Sequence, residues 1–175
     1  GREEELELLH VLLRRTAKGG RPFLVTLVGT AGIGKSRLAR DVTLAAERGD
    51  IPGLTAWRVI RGRCLPHEEG VALWPLAEML KADADILDSD PAETILEKAH
   101  SSLGDRPAIG GSEAIEILLS SLGIATGSDP LSGADRDAAS RMIAAAWRGY
   151  IASLAVDRPL VAVFEDIHWA DRRLL

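Results

Sequence analysis

Residues 29–36 of the chain read Gly29-Thr30-Ala31-Gly32-Ile33-Gly34-Lys35-Ser36, which matches the pattern G-x-x-x-x-G-K-[ST]. Glycines in such a turn let backbone N–H groups point at a phosphate and let that phosphate approach closely. The lysine can reach the β- and γ-phosphates of a nucleotide, and the serine hydroxyl can bind Mg²⁺. The stretch is therefore predicted to be a phosphate-binding loop.

The sequence on either side of this loop fits the prediction. Residues 23–28 are a continuous apolar run, which predicts a central parallel strand that is buried on both faces. Residues 35–48 predict a helix that ends at Gly49, so Arg37 lies in its first turn. The N-terminus of that helix would add its dipole and its free N–H groups to the anion site.

A second apolar stretch ends in two carboxylates. Residues 160–164 predict a strand, and Glu165 and Asp166 follow it directly. Because ligands bind at the carboxyl edge of a parallel sheet, we expect these acids beside the phosphate loop. Glu165 would hold Mg²⁺ through its water shell, and Asp166 would orient or deprotonate the attacking water. Apolar strands that end in acids are common, so this interpretation depends on the loop upstream.

The rest of the pattern predicts an α/β fold. Helical periodicity occurs in residues 3–15, 73–80, 92–103, 112–122 and 135–154, and residues 55–60 predict another strand. This order of elements indicates a parallel sheet covered by helices. We expect a P-loop NTPase three-layer sandwich, with the phosphate loop at 29–36, a helical insert at about 73–154 and the acidic strand at 160–166.

Composition and charge exclude several classes of protein. The 175 residues are 46% apolar and 27% charged, which is typical of a globular chain and too apolar for a disordered one. No window of about 18 uninterrupted apolar residues exists, so no membrane partner is expected. The net charge of −5 argues against direct nucleic-acid binding. The single cysteine and the acidic start, which is unlike a leader peptide, lead us to expect a cytoplasmic protein.

Four segments occur in an order that resembles a known family. They are Gly1-Arg2-Glu3-Glu4-Glu5-Leu6, the phosphate loop, Gly62-Arg63-Cys64-Leu65-Pro66 followed by Glu69-Gly70 and Trp74-Pro75-Leu76, and Glu165-Asp166-Ile167-His168-Trp169-Ala170-Asp171. Together they resemble the AAA-type ATPase module of STAND signalling proteins, over the whole chain. The resemblance is strongest to bacterial regulators that join this module to class III adenylate cyclase domains or to a LuxR-type helix-turn-helix.

The resemblance implies an ATP/ADP switch with slow hydrolysis, in which the nucleotide state controls an effector domain in the same polypeptide. It implies ATP or ADP and Mg²⁺ as cofactors, and it allows nucleotide-dependent self-association. Arg2 and the backbone of the Gly1-Arg2 start would close the pocket near the adenine. His168 and Trp169 would pack the following turn near the phosphates.

The predicted site combines three sets of residues. The nucleotide-binding set is Arg2, Gly29, Thr30, Ala31, Gly32, Ile33, Gly34, Lys35, Ser36 and Arg37, the metal set is Ser36 and Glu165, and the catalytic set is Lys35 and Asp166. Many relatives of the resembled family carry aspartate where Glu165 stands, and the longer side chain changes the metal geometry. Relatives often carry proline after the W-A-D run, where this chain has Arg172 and Arg173, which we expect in a solvated turn rather than as arginine fingers.

Two further groups of residues are expected to be structural. Cys64 and His67 have C-x-x-H spacing, but a zinc site needs about four ligands and the sequence offers no partner pair, so a buried or loop thiol is expected. Glu68 and Glu69 follow the second strand, and we expect capping or exposed acids there rather than contacts to the γ-phosphate.

The resemblance also implies parts of the domain outside these residues. In the family, the strand after the Asp171 turn inserts between the phosphate-loop strand and the acidic strand, and without it backbone groups would stay unpaired. We therefore expect an N-terminal portion of one ATPase domain, truncated after the acidic strand, marginally stable alone and inactive or very slow in hydrolysis.

Two other functions remain open. A nucleotide-binding scaffold would keep the loop and lack turnover. A metabolic P-loop kinase or transferase usually has the acidic strand directly beside the phosphate loop and an arginine-bearing lid soon after it. The helical insert and the H-W-A-D run do not suit that last class.

Overall fold

A computed structural model of the protein describes residues 2–65 and 73–170. The predictions for Gly1, His67, Glu68, Glu69, Asp171, Arg172 and Arg173 lie outside these described residues.

Six helices and two strands form within these ranges. The helices are α1 (Glu3–Gly19), α2 (Lys35–Arg48), α3 (Trp74–Asp83), α4 (Ala92–Leu103), α5 (Ser112–Ser121) and α6 (Arg136–Leu154), and the strands are β1 (Arg58–Arg63) and β2 (Leu160–Glu165). Short 3₁₀ turns lie at Pro107–Ile109 and Ile167–Trp169. Every helix predicted from periodicity is confirmed, with ends that differ by a few residues. Among the described helices, none has the length and apolar character needed to cross a bilayer.

The two strands form one parallel sheet. The N–H of Arg58 donates to the carbonyl of Pro159 at 2.9 Å, and the N–H of Cys64 donates to the carbonyl of Glu165 at 3.0 Å. Both bonds join residues with the same sequence offset, as a parallel ladder requires. The acidic strand is thus confirmed, and the strand predicted at residues 55–60 lies at Arg58–Arg63 instead.

The strand predicted at residues 23–28 is not formed. The described residues contain one sheet of two strands, and residues 23–28 are not part of it. Their side chains are exposed, Leu24 to 96% and Val28 to 88%. An apolar run becomes a strand only where a neighbour supplies ladder hydrogen bonds. Here the prediction of a buried central strand is wrong because neither β1 nor β2 pairs with this run.

The first of two compact units comprises Gly1–Ile60 and Asp157–Val163. Its core is a cluster of Ala46, Ile51 and Trp57, on which Leu13 and Val161 pack. Helix α2 buries its apolar face within this unit, whereas α1 has no buried residue. The unit therefore holds α2, and with it the predicted phosphate loop, on a small apolar core.

The second unit comprises Arg61–Val156 and Phe164–Leu175. In its described part, α4 packs on α5, and both α5 and the turn Pro107–Ile109 pack on α6. Tyr150 of α6 is fully buried, and its hydroxyl donates to the carbonyl of Met79 in α3 at 3.2 Å. The predicted helical insert is thus a helical core of its own, and the end of the acidic strand belongs to the same unit.

Candidate nucleotide-binding site

The loop at residues 29–36 has the backbone conformations that its glycines permit. Gly32 has φ 77° and Gly34 has φ 94°, both in the left-handed region where a side chain would be strained. At Gly29 a Cβ atom would lie 3.0 Å from Cγ2 of Ile33, so a larger residue would press on the loop. Glycine thus occupies both left-handed positions of the loop and the position where Ile33 leaves little room for a side chain.

The N-terminus of α2 offers free donors to an anion. The helix begins at Lys35, Gly34 is its N-cap, and no side chain caps the first turn or places an acid there. The N–H groups of a first helical turn have no partners within the helix. Ser36 and Arg37 lie exposed in this turn, and Arg37 forms an ion pair with Asp41 at 3.7 Å. A phosphate would satisfy the N–H groups and interact favourably with the helix dipole.

Lys35 lies over the loop. Its Nζ donates to the carbonyl of Gly29 at 2.8 Å and to the carbonyl of Thr30 at 2.9 Å. An ammonium group has three donors, so a third remains for a phosphate oxygen. The lysine is therefore already held at the loop where its predicted ligand would bind.

Arg2 contacts the phosphate loop. Its Nη2 donates to the carbonyl of Ile33 at 2.5 Å, and its Nη1 lies 3.6 Å from Oε1 of Glu5. This contact ties the start of α1 to the loop. The predicted role of Arg2 near an adenine stays a prediction.

The acidic pair lies at the end of β2, in the second unit. Glu165 is the last residue of β2, and Asp166 adopts a left-handed conformation with φ 55° and ψ 39°. Aspartate tolerates this region better than most residues do, and the turn redirects the chain into Ile167–Trp169. Two successive carboxylates are thus presented at the carboxyl end of the parallel sheet.

Arg63, at the end of β1, binds both carboxylates. Its Nη2 donates to Oε2 of Glu165 at 2.9 Å, and its Nε lies 3.7 Å from Oδ2 of Asp166. Its backbone N–H donates to Oε2 of Glu78, in α3, at 2.7 Å. From the sequence, Arg63 appeared only within a segment of the family resemblance and was given no role. The available signal was a basic residue three positions after one predicted strand and the acids at the end of another.

These charges shift two pKa values. The hydrogen bond to Glu165 and then the charges of Glu165 and Asp166 raise the pKa of the Arg63 guanidinium above its ordinary value. Burial, followed by the charges of Asp166 and Glu78, raises the pKa of the Cys64 thiol. Cys64 is a buried free thiol, 3% exposed, as the sequence predicts. Such a thiol is a poor nucleophile at neutral pH.

The donor set fits a magnesium ion that is bound mainly through phosphates. Among residues 2–65 and 73–170, no group of three or more His, Cys, Asp or Glu could hold a metal by itself. Mg²⁺ usually takes one or two carboxylates and completes its shell with substrate phosphates and waters. Glu165 and Asp166 supply carboxylate oxygens of the required kind at the end of β2, and Ser36 separately exposes a hydroxyl in the first turn of α2.

His168 and Trp169 lie in the 3₁₀ turn after the acidic pair. Their ring centroids are 5.0 Å apart, and Trp169 is half exposed. The two rings therefore pack on each other, and their predicted place near the phosphates stays a prediction.

Comparison with known proteins agrees with the loop geometry. The family model described as the AAA ATPase domain matches residues 1–175, which is the whole chain. No curated protein and no solved structure matches it. The α/β architecture with a parallel sheet and a glycine-rich loop that opens a helix is that of a P-loop NTPase. The chain belongs to the AAA ATPase domain family.

Proposed function

We propose that the chain is an ATP-binding, slowly hydrolysing regulatory module of a cytoplasmic signal-transducing protein. The observation that carries the proposal is the loop itself, with left-handed glycines, an α2 N-terminus without a side-chain cap, and Lys35 held over it. Membership of the AAA ATPase domain family supports nucleotide binding. The resemblance to STAND proteins supports an effector in the same polypeptide, either a transcriptional regulator or a nucleotide cyclase, and nucleotide-dependent self-association.

Each predicted site residue has a role in this proposal. The N–H groups of residues 29–37 and Nζ of Lys35 bind the phosphates. Ser36 and Glu165 provide oxygens for Mg²⁺, which neutralises charge on the phosphates when it is bound. Asp166 accepts a proton from, or orients, the water that attacks the γ-phosphate. Arg2 keeps the loop in place through the carbonyl of Ile33.

A nucleotide-binding scaffold without turnover is the second candidate. The ion pairs of Arg63 with Glu165 and Asp166 favour it, because both acids are engaged by a cation. The two candidates share ATP binding and differ only in the fate of the γ-phosphate.

Single-turnover hydrolysis separates the two candidates. With protein in excess over γ-³²P-ATP and Mg²⁺, we expect slow release of phosphate, and the Asp166→Asn variant should slow it by about 100-fold or more, the range for loss of a general base. The Glu165→Gln variant should also release phosphate more slowly, and it should need a higher Mg²⁺ concentration to reach its full rate. Asp157→Asn changes an exposed acid at the other end of β2 and should have no effect. Equal rates in all four proteins at the level of buffer alone would favour the scaffold.

A further inference from the structure

The guanidinium of Arg2 is bound to the backbone of the phosphate loop. Its Nη2 donates to the carbonyl of Ile33 at 2.5 Å, and its Nε lies 4.0 Å from the position that a Cβ atom on Gly34 would take. Its Nη1 pairs with Oε1 of Glu5, in the first turn of α1, at 3.6 Å. All of these residues belong to the first unit. The guanidinium therefore lies against the peptide that joins Ile33 to Gly34.

This contact fixes the direction of one N–H group of the loop. The described residues contain no cis peptide, and in a trans peptide the C=O and the N–H point in opposite directions. Because the Ile33 carbonyl points at Arg2, the N–H of Gly34 points away from it. The N–H of Ile33 already donates to the carbonyl of Thr30 at 3.4 Å, whereas that of Gly34 has no acceptor in the described part of the chain. The Gly34 donor is therefore available to a ligand.

We propose that Arg2 is a positioning residue that holds the Ile33–Gly34 peptide with its N–H turned toward the bound phosphates. The inference rests on the proposed function in that the loop is taken to bind the phosphates of a nucleotide. It adds that Arg2 acts on the phosphate chain through the loop, whereas the family resemblance implies a place near the adenine. The contribution of Arg2 should then be the same for any ligand that carries the same phosphates.

Glycine makes this peptide easy to turn. Gly34 has φ 94°, and glycine reaches positive and negative φ at similar cost, so its own backbone does not hold one orientation. Within residues 2–65 and 73–170, Arg2 is the donor that binds the Ile33 carbonyl, and no second donor does so. If the peptide turned over, a carbonyl oxygen would face the phosphates in place of an N–H, and the two negative groups would repel each other. The hydrogen bond from Arg2 opposes that rotation.

Titration calorimetry with ATP and with inorganic tripolyphosphate, both with Mg²⁺, is the first test. Arg2→Met keeps an unbranched side chain and removes its donors and its charge, and Arg15→Met makes the same change at an exposed position of α1. We expect Arg2→Met to bind both ligands about tenfold more weakly, the low end for loss of a hydrogen bond to a charged group. Arg15→Met should match the unaltered protein. Unfolding curves show that each variant is folded.

The amide resonance of Gly34 is the second test, because it reports the orientation of the peptide. In ¹H–¹⁵N spectra of the unaltered protein, saturation with Mg·ATP should move the Gly34 amide proton downfield, as a hydrogen bond to a phosphate oxygen does. In Arg2→Met, also at saturation, the same proton should move much less. The loss of a nearby charge without a turned peptide would leave this shift in place.

The possible results separate this inference from the proposed function. Unchanged ATP affinity in a folded Arg2→Met variant, or an equal loss in Arg15→Met, would overturn the role of Arg2 alone. Weaker binding of ATP with unchanged binding of tripolyphosphate would also overturn it, since Arg2 would then act on the base. A full Gly34 shift in Arg2→Met would do the same. No binding of either ligand by the unaltered protein would overturn the proposed function, and this inference with it.

Discussion

The Lys35→Ala variant should bind Mg·ATP about 100-fold more weakly than the unaltered protein, which is a loss of about 2.8 kcal/mol. The ammonium group is held over the loop by the carbonyls of Gly29 and Thr30, and its remaining donor is free for a phosphate oxygen. Charge-assisted hydrogen bonds of this kind contribute about 1.5–3 kcal/mol. Isothermal titration calorimetry measures the change.

A matched control is Lys18→Ala. Lys18 lies in the last turn of α1 and its replacement removes the same charge. We expect its dissociation constant to equal that of the unaltered protein. If Lys35→Ala is folded and binds Mg·ATP with unchanged affinity, the loop is not a phosphate site.

The Gly62→Ala variant should be destabilised by about 3 kcal/mol, at the upper end of the range for overpacking. Gly62 is buried in β1, where a Cβ atom would lie 2.2 Å from the carbonyl oxygen of Pro75 and 2.8 Å from its Cα. Both are backbone atoms at the start of α3, so no side chain can move aside to relieve the clash. Thermal unfolding followed by circular dichroism should show a drop in Tm of about 6–12 °C.

Gly19→Ala is the control for this change. A Cβ atom at Gly19 would meet nothing within 4 Å, and Gly19 has no positive φ. Its replacement should leave Tm unchanged or raise it slightly, because alanine favours a helix. A Gly62→Ala protein with the Tm of the unaltered protein would mean that β1 and α3 do not pack as closely as described.

Helices were the part of the fold that local sequence could predict. Asp135 accepts a hydrogen bond from the N–H of Ala138 and begins α6, and Pro75 lies in the first turn of α3, where no intrahelical donor is lost. Gly49 ends α2 in a left-handed conformation. These signals lie within a few residues of the helix end that they fix.

Strands were less predictable because their bounds depend on a partner. The apolar pattern predicts β1 at residues 55–60, whereas its pairing with β2 runs from the bond between Arg58 and Pro159 to the bond between Cys64 and Glu165. The more apolar run at 23–28 has no such partner in the described residues and forms no strand. Hydrophobicity favours burial, and only pairing makes a strand.

The candidate site likewise has a part that local sequence predicts and a part that depends on distant residues. The loop could be predicted residue by residue, because its chemistry is contained in eight consecutive positions. The contact of Arg63 with Glu165 could not, because it joins residues 102 positions apart through the register of two strands. Arg2 was expected near a nucleotide base, and its contact with the carbonyl of Ile33 likewise depends on how α1 meets the loop.

Equilibrium binding of nucleotide to the unaltered protein tests the central claim most directly. Calorimetric titration with Mg·ATP and Mg·ADP, beside adenosine as the ligand without phosphates, compares the contribution of the loop with that of the base. We predict one site per chain, a Kd below about 100 µM for both nucleotides, equivalent to at least about 5.5 kcal/mol of binding free energy, and far weaker binding of adenosine. A folded protein that binds neither nucleotide at about 1 mM, or that binds adenosine equally well, would contradict it.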